Sequence, residues 1–243
     1  LIIAIEQAKD RQVFRKLEPE VLTALEEIFR APNSEDEAQE CMEAMVEIAD
    51  AHASFFRPHL NVILHSMLTV AGAKGAVDDN LRRLAVECLL RLAENGGAMC
   101  RKMKDNLFVE SFYPVLLNVM MELKDHMYNL QVWESRENDD VDDLSNFDVV
   151  SEALDRFSKA IGSKKAIRPF FKLIGTYIHS STWEHRYVAL MSLSQVTETM
   201  PSSMLADTVG MVLNVLSNPQ EDPRVRCAAC NVLGVVSSPG EHG

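Results

Sequence analysis

The residue types that could hold a metal ion or attack a substrate are few in this sequence, and their spacing forms no catalytic motif. Cys227 and Cys230 have the separation of zinc ligands, but no second Cys or His pair accompanies them and both fall in a predicted helix. The seven histidines contain no His-Glu-x-x-His spacing, and the sequence has no Gly-rich phosphate loop or Gly-x-Ser-x-Gly elbow. We therefore expect no catalytic residue, no metal site and no cofactor, and we assign the two cysteines a core or groove role.

Carboxylates are the most abundant reactive groups. The 36 acidic and 24 basic residues give a formal net charge of −12, which opposes binding to nucleic acid or to an anionic membrane. No apolar run reaches the roughly 18 residues that indicate a membrane span. We therefore expect basic protein partners, no nucleic acid and no membrane.

Composition favours an all-α protein inside the cell. Leu, Ala, Val, Met and Glu dominate and aromatic residues make up only 7%, a balance that suits helices better than sheets. The five cysteines show no disulfide framework and no secretory leader precedes them, so a reducing compartment is expected. Because the chain begins with Leu and stops just after a helical pattern, we expect an excised piece of a longer chain.

An internal repeat organises the sequence. Residues 225–236 place apolar side chains on one helix face, and residues 185–196 repeat this pattern, with Ala189 aligned with Ala229 and Arg186 with Arg226. Three more segments fit the frame, at residues 81–92, 149–160 and 37–48. These five second helices are expected near residues 36–50, 78–94, 147–161, 184–198 and 223–236. Each follows a first helix with its own apolar stripe, expected at residues 19–30, 58–71, 107–123, 167–179 and 204–216.

Helix pairs of this kind cannot cover their apolar faces alone, so neighbouring pairs must stack. The predicted fold is an all-α, α-α superhelix: an armadillo-like HEAT-repeat solenoid of about five helix pairs in a single array. Repeats are expected near residues 17–52, 56–97, 105–162, 164–200 and 203–237. In the last pair Asp222 is the predicted N-cap and Pro223 the first helical residue, which is typical of a HEAT second helix. Trp183 opens another second helix and is expected to pack over its turn.

One connection is longer than packed helices need, the insertion at residues 124–146. Residues 134–148 hold seven acidic side chains and one arginine, a local charge of −6. Like charges and few apolar anchors predict a mobile segment. It is either a solvated spacer or an electrostatic element that competes with basic ligands through Asp139, Asp140, Asp142 and Asp143.

The second helices offer the candidate binding positions. In the repeat frame one inward position per second helix is held by Glu43, Glu87, Asp155, Met191 and Asn231. Three of these are carboxylates, which suit lysine and arginine through charge-assisted hydrogen bonds. The alternative is that they are ordinary solvated residues on exposed helix faces.

Several motifs resemble the importin-β superfamily of nuclear transport receptors, and within it the karyopherin β-3 type. They lie in the family's order between residues 35 and 237. The matching segments are Phe56-Arg-Pro-His-Leu60, Met99-Cys-Arg-Lys102, Asp139-Asp-Val-Asp-Asp-Leu144, Glu152-Ala-Leu-Asp-Arg156, Trp183-Glu-His-Arg186 and Arg224-Val-Arg-Cys-Ala-Ala-Cys-Asn231. The acidic run is shorter than in many members, and Trp133 precedes it instead of following it.

The resemblance implies a receptor that carries basic cargo through nuclear pores and shuttles between cytoplasm and nucleus. It implies release of cargo by Ran-GTP, contacts with Phe-Gly nucleoporins on the outer surface, and an acidic insertion that faces Ran or the cargo groove. The family's main Ran contact lies in N-terminal repeats that this chain does not include. The competing interpretation is a static HEAT scaffold subunit that organises a protein complex without a GTPase cycle.

Overall fold

The computed structural model describes Glu20, Thr23 and residues 35–135 and 145–237 of the 243-residue chain. This described part consists of helices and their connections and contains no strand. It is divided into two compact units, residues 1–103 and residues 104–243. The all-α fold is therefore confirmed, whereas the single array that joins all five repeats stays a prediction.

From residue 35 onward, the described part of the first unit contains three α-helices and one 3-10 helix. They are α1 (Glu35–His52), the 3-10 helix Ala53–His59, α2 (Leu60–Ala71) and α3 (Asp79–Cys100). α3 packs against both α1 and α2, and the interface is filled by large apolar side chains that water does not reach, among them Met42, Ile48, Phe56 and Leu89. α2 and α3 form the second predicted helix pair. The expected first helix at residues 19–30 lies outside the described residues, apart from Glu20 and Thr23.

Local signals explain where these helices begin and end. Asp78 caps α3 because its carboxylate accepts the backbone N–H of Asn80 at 2.8 Å. α3 continues to Cys100, beyond the predicted end near residue 94, with a kink at Gly96. The expected first helix at 58–71 starts later, at Leu60, because Pro58 lies within the preceding 3-10 helix.

The second unit holds seven α-helices among its described residues. They are α4 (Leu107–Met120), α5 (Leu130–Ser135), α6 (Asn146–Ile161), α7 (Ser163–Ile178), α8 (Trp183–Val196), α9 (Ser202–Ser217) and α10 (Pro223–Ser237). α6 packs on α4, α8 packs on α6 and α7, and α10 packs on α8 and α9. The predicted pairs are thus α4 with α6, α7 with α8, and α9 with α10.

Aromatic residues fill the centre of the first pair in this unit. Phe112 and Phe157 meet edge to face at 4.9 Å, and Tyr113 packs against Phe157 at 5.0 Å. The hydroxyl of Tyr113 shares a 2.9 Å hydrogen bond with Ser158, so its buried polar atom has a partner. Ser145 starts α6 with a reciprocal capping box to Asp148.

The repeat frame is visible in burial. The alanines aligned in the four later second helices, Ala85, Ala153, Ala189 and Ala229, are each no more than 2% exposed. A small side chain at this position lets neighbouring helices approach closely. Asp222 and Pro223 also have their predicted roles, because Pro223 is the first residue of α10 and the Asp222 carboxylate accepts the backbone N–H of Arg224 at 2.9 Å.

The predicted mobility concerns the acidic run of the insertion and stays a prediction, but the part of the insertion that precedes this run is helical. Residues Asp125–Tyr128 form a 3-10 helix and Leu130–Ser135 form α5. Met127 is only 7% exposed, and its carbonyl oxygen accepts a hydrogen bond from Arg224 of α10. This apolar and polar anchoring orders the segment despite its acidic surroundings. Residues 136–144 lie outside the described part of the chain.

Candidate functional site

The five candidate positions are divided between the two units. Glu43 on α1 is exposed and Glu87 on α3 is half-buried, and both belong to the first unit. In the second unit, Asp155 on α6 and Met191 on α8 are half-buried, whereas Asn231 on α10 is exposed. All five are therefore at the surface, and their role in binding stays a prediction.

In the first unit an arginine joins the candidate position to a neighbouring helix. Arg91 donates from Nε to Glu87 at 2.6 Å and from Nη1 to Asp50 at 3.0 Å. Asn95 donates to the same Asp50 oxygen at 3.2 Å. Asp50 lies on α1, so it is this carboxylate that faces the Arg91 guanidinium across the α1–α3 contact. Glu43 accepts a hydrogen bond from Gln39 on its own helix at 2.8 Å.

In the second unit Lys159 has the place that Arg91 has in the first, four residues after the candidate carboxylate. The ammonium group of Lys159 lies 2.9 Å from Asp155 and 2.8 Å from Glu198, which follows α8. Hydrogen bonds to Glu198 and to Asp155 raise the pKa of Lys159. The side chains are 27% (Asp155), 48% (Lys159) and 64% (Glu198) exposed, so water screens the pair. Two carboxylates from different elements thus bind one ammonium group at the surface.

Asp50 and Glu198 were absent from the candidate positions, although part of the signal is in the sequence. Glu87 precedes Arg91 by four residues, and Asp155 precedes Lys159 by four, a spacing at which opposite charges meet on a helix. The second carboxylate of each cluster comes from a different helix or turn. Only helix packing identifies it.

Two further ion pairs of the second unit lie near the beginnings of second helices, and their side chains are largely buried. Arg186 near the start of α8 donates from Nε and Nη2 to the Glu221 carboxylate, with a shortest distance of 2.6 Å. It also donates to the carbonyl oxygen of Ser180 at 2.7 Å. Because the side chain of Glu221 is 6% exposed, this ion pair is well shielded from water. It joins two successive helix pairs and is structural.

Arg224 makes a second buried contact at the start of α10. Its guanidinium donates to Asp222 at 2.6 Å and lies 3.7 Å from the ring centroid of Trp183. Burial alone would raise the pKa of Asp222, but hydrogen bonds from Arg224, with its charge and that of Arg186, lower it overall. Trp183 is the first residue of α8, and its ring packs at the start of this helix as expected. Its partner is Arg224 of the next repeat.

The five cysteines fall into two groups. Cys41, Cys88 and Cys100 are buried, and burial raises the pKa of both Cys88 and Cys100 to about 12. Cys227 and Cys230 are exposed on α10, so of the two predicted roles the core is wrong for them and the groove stays a prediction. The aligned positions of Cys230, such as Leu190 and Val86, are covered by neighbouring helices. No helix of the described part covers this side of α10. Within that part there is also no group of three or more His, Cys, Asp or Glu side chains that could hold a metal ion.

Two further expectations concern the surface. The acidic residues Asp139, Asp140, Asp142 and Asp143 lie outside the described residues, so their role stays a prediction. In the ranges that the structure describes, no helix is long and apolar enough to cross a membrane.

Comparison with known proteins shows which proteins this chain is similar to. A family model described as importin repeat matches residues 74–168. Importin subunit beta-3 of Saccharomyces cerevisiae is 26% identical over 224 residues, which cover 90% of this chain and 20% of the relative.

Two similar crystal structures are complexes of Kap121p. Kap121p bound to Pho4p matches with a TM-score of 0.78 at 26% identity, over 91% of this chain and 21% of that chain. Kap121p bound to RanGTP matches with a TM-score of 0.80 at 26% identity, over 96% of this chain and 23% of that chain. This chain thus spans about a fifth of the length of these relatives. The chain thus carries an importin repeat at residues 74–168 and is similar to importin β-3 proteins over most of its length.

Proposed function

We propose that the chain is part of a nuclear transport receptor and binds basic cargo segments through the exposed carboxylates of its second helices. The observation that carries the proposal is the Asp155–Lys159–Glu198 cluster, in which two carboxylates bind one ammonium group at 2.9 and 2.8 Å. A cargo lysine brings the same chemical group. The similarity to Kap121p bound to Pho4p and to RanGTP supports a receptor role.

The binding is an exchange of partners. A cargo ammonium group would replace that of Lys159, which is half exposed and reaches its partners through a flexible side chain. Exposed ion pairs contribute about 0.2–1 kcal/mol, so the exchange costs little. A single lysine gains equally little, so affinity requires several contacts. Within the second unit Met191 and Asn231 would contact the peptide chain, and in the first unit Glu43 and Glu87 would offer carboxylates to further cations.

The rest of the transport cycle belongs to the same proposal. In the full-length protein, Ran-GTP would release the cargo, mainly through repeats that this chain does not include. Phe-Gly nucleoporins would contact the outer surface, and the receptor would shuttle between cytoplasm and nucleus. No catalytic step is needed for this function.

A fluorescence titration with a labelled nuclear-localisation peptide of several lysines tests the proposal. The parent chain should bind weakly at low salt, and binding should fall steeply as salt is added. Replacing Glu43, Glu87 and Asp155 together by lysine should abolish binding. Asp207→Lys, on the exposed side of the first helix α9, is the matched charge-reversal control. If the control loses as much binding free energy per reversed charge as the triple variant does, the peptide does not recognise a specific surface.

A second experiment separates the receptor from a static scaffold. In the full-length protein, GTP-bound Ran should displace the peptide, whereas a scaffold without a GTPase cycle would not respond. Replacing Asp139, Asp140, Asp142 and Asp143 by asparagine should shift the Ran displacement curve if the insertion is regulatory. Superimposable curves would make the insertion a passive spacer.

A further inference from the structure

Four aromatic rings form a continuous row across the second unit, which we call the aromatic row. Tyr128 of the insertion lies 6.0 Å from Trp183, Trp183 lies 6.2 Å from Tyr187, and Tyr187 stacks on Phe147 at 6.1 Å with an interplanar angle of 30°. The row therefore joins the start of α6, the start of α8 and the helical part of the insertion.

The row lies on the same side of the second helices as the proposed cargo site. Tyr187 is four residues before Met191, and Phe147 is eight residues before Asp155. Residues separated by four or by eight positions lie within one broad stripe of a helix surface. Phe147 and Asp155 are eight residues apart, which corresponds to about 12 Å along the helix axis.

The aromatic row is accessible to solvent, and carboxylates lie near it. Tyr128 is 55% exposed, and the other three rings are half-buried. Burial, followed by the charges of Glu184 and Asp125, raises the pKa of Tyr128, so both carboxylates act on this ring. Two cations lie near the row: Arg224, whose charge is balanced by its ion pair with Asp222, and Lys124, which lies 3.4 Å from Asp148 beside Phe147. An incoming cation would thus meet a surface of favourable sign.

The molecule itself shows which group such rings accept. The guanidinium of Arg224 lies 3.7 Å from the Trp183 ring centroid. A planar guanidinium stacks on aromatic faces, whereas the compact ammonium of lysine keeps its hydration shell more strongly. The aromatic row and the carboxylate cluster at Asp155 thus suit different cations.

We propose that the aromatic row is a subsite for arginine in the basic segment whose lysine binds at Asp155. This inference rests on the proposed function and deepens it by dividing the surface into a lysine subsite and an arginine subsite. An extended chain advances about 3.3 Å per residue, so 12 Å corresponds to three or four residues. The preferred ligand therefore carries an arginine three or four residues from a lysine.

The test uses three peptides of equal length and charge. The first has a lysine and an arginine four residues apart, the second has lysine at both positions, and the third has the same two residues adjacent to each other. The parent chain should bind the first peptide about two- to five-fold more tightly than the second, the range of an exposed cation–π contact. It should also prefer the first to the third.

Variants of the row should remove this preference without removing binding. Tyr187→Leu and Phe147→Leu should bring the ratio between the first two peptides close to one, whereas Tyr187→Phe should retain it. Phe171→Leu is the matched control, because this half-buried ring lies on the first helix α7 away from the row. Circular dichroism melting of each variant verifies that it is folded. In a Trp133→Phe background, the fluorescence of Trp183 reports directly on binding at the row.

The outcomes separate the two proposals. If both peptides bind and Asp155→Asn weakens them, but Tyr187→Leu leaves their ratio unchanged, the arginine subsite is wrong while the proposed function stands. If none of the peptides binds the parent chain at low salt, the proposed function fails and the subsite with it. Loss of the ratio in Tyr187→Leu together with its retention in Tyr187→Phe supports the subsite.

Discussion

The two ends of the second helices in the second unit use ion pairs in opposite ways. At their beginnings Arg186 binds Glu221 and Arg224 binds Asp222, and the side chains involved are 6–19% exposed. At their C-terminal ends Lys159 binds Asp155 and Glu198, with side chains 27–64% exposed. Both ends hold a cation beside carboxylates, but the exposure of these side chains to water differs severalfold.

This difference decides what each pair can do. Removing one partner of a buried pair leaves an uncompensated charge and strongly destabilises the fold, whereas an exposed pair contributes little to stability. The buried pairs join consecutive repeats and hold the insertion against α10. The exposed cluster is accessible to solvent, which the proposed exchange of its cation requires. The predictions below test this division.

The largest effect is expected for Arg186→Ala, which leaves the buried Glu221 carboxylate without its guanidinium partner. The free energy of unfolding should fall by about 3–5 kcal/mol. Arg226, at the aligned position of the next repeat, is exposed, so Arg226→Ala should change stability by less than about 0.5 kcal/mol. Urea unfolding of both variants measures the contrast. Similar losses for the two arginines would show that burial does not separate their roles.

Asp222→Asn should destabilise by about 1–3 kcal/mol at neutral pH, because asparagine retains the cap but loses the charge that Arg224 binds. The folded state lowers the pKa of Asp222. Its stabilisation is therefore present above the unfolded pKa of about 3.9 and is lost as pH falls through the lower folded value. Stability measured from pH 7 to pH 2.5 should show the difference between the parent and the variant begin to shrink below about pH 4. A difference that stays undiminished down to pH 2.5 would contradict an ionic origin.

The buried alanine that recurs in the second helices allows a test of how closely the helices pack. Ala153→Leu and Ala229→Leu should each cost about 1–3 kcal/mol, because extra methyl groups must fit into the closed contact of a helix pair. Ala206→Leu on the exposed face of α9 is the control and should be nearly neutral. Melting temperatures equal to that of the parent chain in both core variants would count against the repeat frame.

Which of these features the sequence predicts depends on how local their causes are. The alanine positions, the Asp222 cap and the Pro223 start follow from helical spacing and capping rules, and the structure confirms them. The ordered half of the insertion depends on Arg224, which is 97 residues away along the chain from Met127. No local pattern predicts that contact.

The candidate site shows the same limit. Asp155 was predicted from its place in the repeat, and its spacing to Lys159 is a local signal. Glu198 joins them only because α8 packs on α6 and brings its C-terminal turn close to Lys159. The aromatic row also depends on packing, because its rings come from three separate elements. Sequence therefore predicts positions on one helix, whereas the combinations between helices require the fold.

The smallest effect on stability, and the most informative for function, is expected for Lys159→Ala. Because the ion pairs of Lys159 are exposed, its loss should change the free energy of unfolding by less than about 1 kcal/mol. Binding should respond in the opposite direction, since Asp155 and Glu198 lose their internal cation and become available to a cargo lysine. At low salt a lysine peptide should bind about two- to five-fold more tightly, the equivalent of one exposed ion pair. Lys164→Ala, which removes the same charge from an exposed site at the start of α7, separates this exchange from a general change in net charge. If both variants tighten binding equally, Lys159 does not compete with cargo, and the carboxylates of the cluster act only through the overall field of the surface.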